Sequence, residues 1–153
     1  MFTEPLGGWR HVVARERRTK GDFAYMMKLI SDKYYPDVER IVIVSDNLNT
    51  HSAASFYEAF SPDVAYQLMQ KYEFHHTPKH GSWLNIAESE LSSLARQCLG
   101  NKRISSLPEL NELLSDWELD RNTRQKGVNW RFGTEDARIK LKRLYPTPIF
   151  GED

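Results

Sequence analysis

The sequence predicts an α/β domain, and three patterns carry that prediction. Ile41-Val42-Ile43-Val44 is a β-branched run with no polar interruption, the pattern of a strand buried on both faces beneath helices. Before it, Phe23, Met26, Met27 and Ile30 recur at helical spacing. After it, Ala87, Leu91, Leu94, Ala95 and Cys98 share one face of a further helix.

The remaining elements follow from local chemistry. Met1–Leu6 and Trp9–Glu16 flank Gly7-Gly8, which predicts two strands around a tight turn. Pro5 has no amide proton to give a ladder, so the first strand ends near it. Thr19 or Asp22 can cap the helix that starts around Gly21, and Pro36 lies beyond its end. Ser52–Phe60 reads as a helix, Ser61-Pro62-Asp63 as a break, and Val64–Tyr72 as a fresh helix. Glu73–Thr77 is a short strand and Pro78–Ser82 a loop. The Leu84–Leu99 helix stops at Gly100. Ser106 caps a helix with Pro108 in its first turn, running to about Asn122. Thr134 opens the last helix, with Glu135 and Asp136 at its positive end. The expected order is β-β-α-β-α-β-α-α-α, with no repeat and no linker.

A length of 153 residues fits one domain, residues 1–153, and can bury a real core. No apolar run approaches the roughly 20 residues of a membrane-spanning helix. Met1–Arg10 lacks a basic segment followed by an apolar stretch, so no signal peptide is expected. Cys98 is the only cysteine, which rules out an internal disulfide and fits a reducing, cytoplasmic compartment. The net charge is zero, yet the basic residues are bunched: Arg10, Arg15, Arg17, Arg18 and Lys20; Arg121, Arg124, Lys126 and Arg131; and Lys140, Lys142 and Arg143. Such stretches serve equally as solvated faces or as DNA contacts. Arg10, Arg15, Arg17 and Arg18 are candidates for one DNA-facing sheet edge.

Two carboxylates stand out. Asp46 follows directly on the Ile41 strand, and in open α/β sheets ligands gather outside the carboxyl ends of strands. A carboxylate there suits a hard cation such as Mg2+, and equally suits a plain turn. Glu88 lies near the start of the Leu84 helix, beside its apolar face. Glu90 falls about 160° from it at 100° per residue, so at most one of the two faces Asp46. The alternative for Glu88 is a first-turn glutamate favoured by the helix dipole. His51, His75, His76 and His80 raise a zinc reading. Pro78 interrupts them, no cysteine joins them, and adjacent strand histidines point to opposite faces. Lys79 and His80, basic residues of the expected Pro78–Ser82 loop, are candidates for phosphate contact.

The strings around the two carboxylates are Ser45-Asp46-Asn47-Leu48-Asn49-Thr50-His51 and His76-Thr77-Pro78-Lys79-His80-Gly81-Ser82-Trp83-Leu84-Asn85-Ile86-Ala87-Glu88. They resemble the second and third acidic motifs of the IS630/Tc1/mariner transposase superfamily, specifically its IS630 branch. There, Asp-Asn-x-x-x-His ends a strand and a string that opens on proline, contains serine and closes on Leu-Asn-x-x-Glu leads into a helix. The resemblance extends to Glu4-Pro5-Leu6, Gly8-Trp9-Arg10 and Thr134–Pro146. The 41 residues between Asp46 and Glu88 exceed the usual spacing in that superfamily.

The resemblance implies an RNase H-like DDE catalytic core. Asp46 and Glu88 would be catalytic ligands of two Mg2+ or Mn2+ ions. The reaction would be phosphodiester hydrolysis and strand transfer at transposon ends, for which the chain is expected to be incomplete by itself. Asn47 and His51 would lie beside the first carboxylate, and Ser82, Trp83 and Asn85 would shape the entry to the Glu88 helix. The family triad begins with an aspartate on a central first strand, between the second strand and the Ile41 strand. That strand is expected before Met1. Without it, the hairpin closes onto the Ile41 strand, another polypeptide fills the gap, or the hairpin is loose. The expected partners are DNA and a second transposase chain or the missing N-terminal segment. A non-catalytic DNA-binding or transposase-pairing remnant and a stand-alone RNase H-like nuclease are the competing functions.

Overall fold

A computed structural model describes residues 1–46, 52–77, 86–125, 127 and 133–140. Strands β1 (Phe2–Glu4) and β2 (Trp9–His11) form an antiparallel hairpin, pairing Phe2 with His11, Thr3 with Arg10 and Glu4 with Trp9. Gly8 closes the turn at φ +72°, and its amide donates to the Glu4 carbonyl at 2.9 Å. Helix α1 (Lys20–Leu29) starts on a reciprocal cap: Thr19 Oγ1 accepts from the Asp22 amide, and Asp22 accepts from the Thr19 amide. It widens into a π-helical turn, Ile30–Tyr34. Strand β3 (Ile41–Ser45), helices α2 (Ala54–Ala59) and α3 (Pro62–Lys71), and strand β4 (Tyr72–His76) make a parallel crossover unit in which Ile41 pairs with Tyr72 and Ser45 with His76. Helix α4 (Ile86–Leu94) also ends in a π turn, Ala95–Leu99, stopped by Gly100 at φ +49°. Helix α5 (Leu107–Arg124) is capped by Ser106, and α6 (Thr134–Lys140) follows.

The two ladders are separate. Among the described residues β1 pairs only with β2, and β3 only with β4. They are joined instead through the core: Phe2 of β1 and Ile41, Ile43 and Phe74 of β3–β4 pack against Ala24, Met27, Phe56, Ala65, Leu68 and Tyr72. The Tyr72 hydroxyl donates to the Met27 carbonyl at 2.7 Å inside this cluster, which satisfies a buried polar group that would otherwise be costly. A second cluster, Leu94, Cys98, Leu114 and Trp117, takes Met1, Val12 and Ala14 from the hairpin. The hairpin is thus held between α1 with its π turn on one face and α4–α5 on the other. It is neither loose nor closed onto β3.

Several expectations need correction. The second strand ends at His11 rather than Glu16, because side chains of α5 take the place of a partner strand. Glu118 accepts from the Val12 amide at 2.8 Å. Asn111 accepts from the Ala14 amide at 2.8 Å and donates to the Ala14 carbonyl at 3.1 Å. The Ile41 strand is buried on one face only: Val42 and Val44 are 56% and 59% exposed. The α4 face also differs. Leu91 and Ala95 are exposed, while Glu90, Leu94 and Cys98 point inward. Glu90 is drawn inside by Arg10 and Arg121, and the π turn changes the helical phase from Ala95 onward. The break expected at Ser61-Pro62-Asp63 is present and divides the stretch between β3 and β4 into α2 and α3, which the expected element order counts as one. The Pro78–Ser82 loop lies outside the described residues.

Gly8 faces the exit of α5. A Cβ there would stand 2.6 Å from the Gln125 carbonyl carbon and oxygen and 2.9 Å from the Gly127 amide. Gly8→Ala is therefore expected to destabilise the fold by about 1–3 kcal/mol through strain and overlap. Gly21→Ala, at an open helical position, should leave stability unchanged or raise it by up to about 1 kcal/mol. Urea midpoints of the two variants check both signs.

Candidate functional site

Asp46 is the first residue beyond β3. The Thr77 amide donates to the Ser45 carbonyl at 2.9 Å, which carries the ladder to the point where Asp46 leaves it. This is the carboxyl end of a parallel pair, a place where the backbone is rigid and the side chain meets an opening. Alternation along β3 puts Asp46 on the side of Val42 and Val44, the face that α1–α3 leave uncovered. Asp46 itself is half-buried.

Glu73 and His75 lie on the same face, across from Val42 and Val44. His75 Nε2 sits 2.7 Å from Glu73 Oε1, and Arg40 donates to Glu73 Oε2 at 3.2 Å. The His75 contact first, with charge from His75 and Arg40 added, holds the Glu73 carboxyl below the usual glutamate range. His76 instead approaches Ser45 Oγ at 3.4 Å, so the two histidines have separate surroundings.

Glu88 is the third residue of α4 and is exposed, with its backbone carbonyl accepting from Ser92 Oγ. Glu90 is 6% exposed and engaged. Its Oε2 lies 2.9 Å from Arg10 Nε, and Arg121 NH2 donates to Oε1 at 3.2 Å and Oε2 at 3.3 Å. The Arg10 Nε contact is close but off the N–H axis, so it is an ion pair rather than an aligned hydrogen bond. Of the two acidic residues, Glu88 is the one left facing outward. The buried cluster was not foreseen. Its signal was an acidic residue at 90 in register with Leu94 and Cys98, on a face that admits a charge only with a counter-charge.

The basic candidates separate. Arg10 is 1% exposed and serves the Glu90 cluster rather than a DNA-facing edge. Arg15 pairs with Asp22 at 3.0 Å, and Arg17 and Arg18 are exposed on the segment between β2 and α1. Arg15 and Arg17 line a shallow cavity of about 430 Å3 with Ala14, Glu16, Thr19, Asp22 and Leu107, which neither Asp46 nor Glu88 reaches. Asn47, His51, Lys79, His80, Ser82, Trp83 and Asn85 lie outside the described residues.

Asp46 and Glu88 offer carboxylate oxygens, the donors that Mg2+ or Mn2+ takes. Among the described residues, no three His, Cys, Asp or Glu side chains come together as a metal-holding group. The donor chemistry fits a hard divalent cation, while the number of donors does not close a site. No helix among the described residues is long and apolar enough to cross a membrane.

The described residues form an α/β arrangement of two small sheets between helices, with a carboxylate at the carboxyl end of a parallel strand. The model of one family, DDE superfamily endonuclease, matches residues 1–111, and the chain belongs to that family. No curated protein and no solved structure matches it. The match ends inside α5, so it includes both carboxylates and both ladders.

The Glu73–His75 contact gives a pH prediction. A carboxyl whose pKa is depressed in the folded state adds stability above its unfolded pKa, and that stability is lost as pH falls through the folded value. In a carbon-detected NMR titration, Glu73 should therefore titrate below the ordinary glutamate value of about 4.3, and His75→Ala should move it upward. An unchanged midpoint in the variant would refute the cause assigned here.

Proposed function

We propose that this chain is part of an IS630-type transposase catalytic domain, in which Asp46 and Glu88 are two of the carboxylates that hold divalent metal at a scissile DNA phosphodiester. The observation that carries the reading is the outward placement of Glu88 while Glu90 is consumed by Arg10 and Arg121. Asp46 stands at the strand end where such a ligand is expected. Mg2+ or Mn2+, when bound, supplies Lewis acidity and lowers the pKa of attacking water.

The chain's own contribution is placement. The β3–β4 ladder fixes the backbone that precedes Asp46. The α4 helix carries Glu88 on a segment anchored to β2 and α5. In this reading a third carboxylate comes on a strand outside the described residues. It would seat between β1 and β3, in the same chain or from a second transposase chain. DNA at transposon ends is the substrate, with Arg17, Arg18, Lys79 and His80 as phosphate contacts. Asn47, His51, Ser82 and Asn85 support the two carboxylates.

The test is metal-dependent nicking of DNA by the chain, beside Asp46→Ala and Glu88→Ala. Loss of a metal ligand should lower nicking by at least about a hundredfold, beyond the 10–100-fold typical of outer-shell changes. Nicking that survives Asp46→Ala contradicts the assignment. A chain that takes up no Mn2+ in titration but retains DNA favours the non-catalytic, DNA-binding reading.

A further inference from the structure

We propose that the buried Arg10–Glu90–Arg121 cluster is a positioning device that sets the rotation of α4 and so presents Glu88, not Glu90, to the site. The inference deepens the reading above and rests on Glu88 being the metal-binding carboxylate of this helix.

Glu88 and Glu90 stand about 160° apart on α4, so rotation decides which faces outward. Apolar packing alone fixes that rotation poorly. Leu94 is the only buried apolar side chain of α4, and it sits in the last turn. Leu91, which sequence periodicity would place inward, is 46% exposed. The π turn that follows changes the helical phase between α4 and Cys98. In the first two turns, Glu90 is the one buried side chain.

Glu90 is held from two directions. Arg10 comes from β2, and its NH1 also donates to the Gly8 carbonyl at 2.9 Å and the Arg121 carbonyl at 3.3 Å. Its backbone is clamped by Asn122, which accepts from the Arg10 amide at 2.9 Å and donates to the Arg10 carbonyl at 2.8 Å. Arg121 comes from α5, with its guanidinium 5.7 Å from the Trp117 ring centre. A carboxylate triangulated between a hairpin and a second helix resists both rotation and sliding. The guanidinium planes of Arg10 and Arg121 are themselves held, by the Gly8 and Arg121 carbonyls and against the Trp117 ring, and so give that restraint a direction. Arg10, Glu90 and Arg121 are positioning residues in this proposal, since their charged groups are engaged with one another inside the fold.

The test reads geometry without metal. Spin labels are placed on the full chain through Val44→Cys and Glu88→Cys, in a Cys98→Ser background, and their separation is measured by pulsed EPR. A control pair uses Val44→Cys and Leu119→Cys, both exposed positions. With Glu90 intact, the 44–88 distance should be single and narrow. Glu90→Gln should broaden it or add a second population while the 44–119 distance stays unchanged. Should Glu90→Gln fail to fold, Arg121→Lys, which keeps the charge and loses the planar guanidinium beside Trp117, carries the same comparison. An unchanged 44–88 distance, or equal broadening of both pairs, overturns the proposal.

In unlabelled chain, Mn2+ affinity should fall about tenfold in Glu90→Gln, the size of an outer-shell effect. It should be lost in Glu88→Gln. Binding lost in Glu88→Gln but unchanged in Glu90→Gln also overturns the positioning role. Absence of Mn2+ binding in the parent chain sinks the metal reading, and the label distances then decide the positioning claim by themselves.

Discussion

Two ladders that share no hydrogen bond have to be held as one molecule by side chains, and the rest of the structure depends on that constraint. Edge strands need partners for their backbone groups. Here α5 supplies them in part, through the Glu118 carboxylate and the Asn111 and Asn122 amides along β2. On the other face, Trp9 lies against Tyr34 and Tyr35 of the α1 exit, with ring centres 4.9 and 5.6 Å apart. His11 joins the two layers, with Nδ1 3.1 Å from Glu118 and 3.3 Å from the Tyr34 hydroxyl. The core shared by Phe2, Ile41, Ile43 and Phe74 then keeps both ladders against the same helices.

The placement of the carboxylates follows from this scheme. The helices α1–α3 cover one face of β3–β4, so the opposite face, with Val42 and Val44, remains outward. By alternation Asp46 belongs to that face. Helix α4 sits in the other layer, against β1, and its Glu90 is tied to β2 and α5. The family match spans both residues, and the fold leaves Asp46 at the end of β3 and Glu88 exposed on α4.

Much of this was legible along the chain because it is local. Thr19 and Ser106 cap as their chemistry predicts, Gly100 stops its helix segment with a positive φ, and Pro62 restarts the chain as α3. What was not legible depends on partners far away in sequence. A β-branched run looks the same whether one face or two are covered, so the exposure of Val42 and Val44 could not be read from it. The early end of β2 depends on Asn111 and Glu118, about a hundred positions downstream. The burial of Glu90 depends on Arg10 and Arg121, which composition alone would count among solvated or DNA-facing charges. Asp46 and Glu88 were found through motif context, since a lone turn aspartate and a lone first-turn glutamate carry no such meaning.

The central claim is that Asp46 and Glu88 serve one divalent cation site, and amide NMR of the full chain with substoichiometric Mn2+ tests it most directly. The account predicts that paramagnetic broadening centres at once on the end of β3, around Ser45 and Asp46, and on the first turn of α4, around Glu88. It also predicts that Asp46→Asn removes both effects together. Broadening at only one of these segments, or broadening that persists in Asp46→Asn, would contradict it.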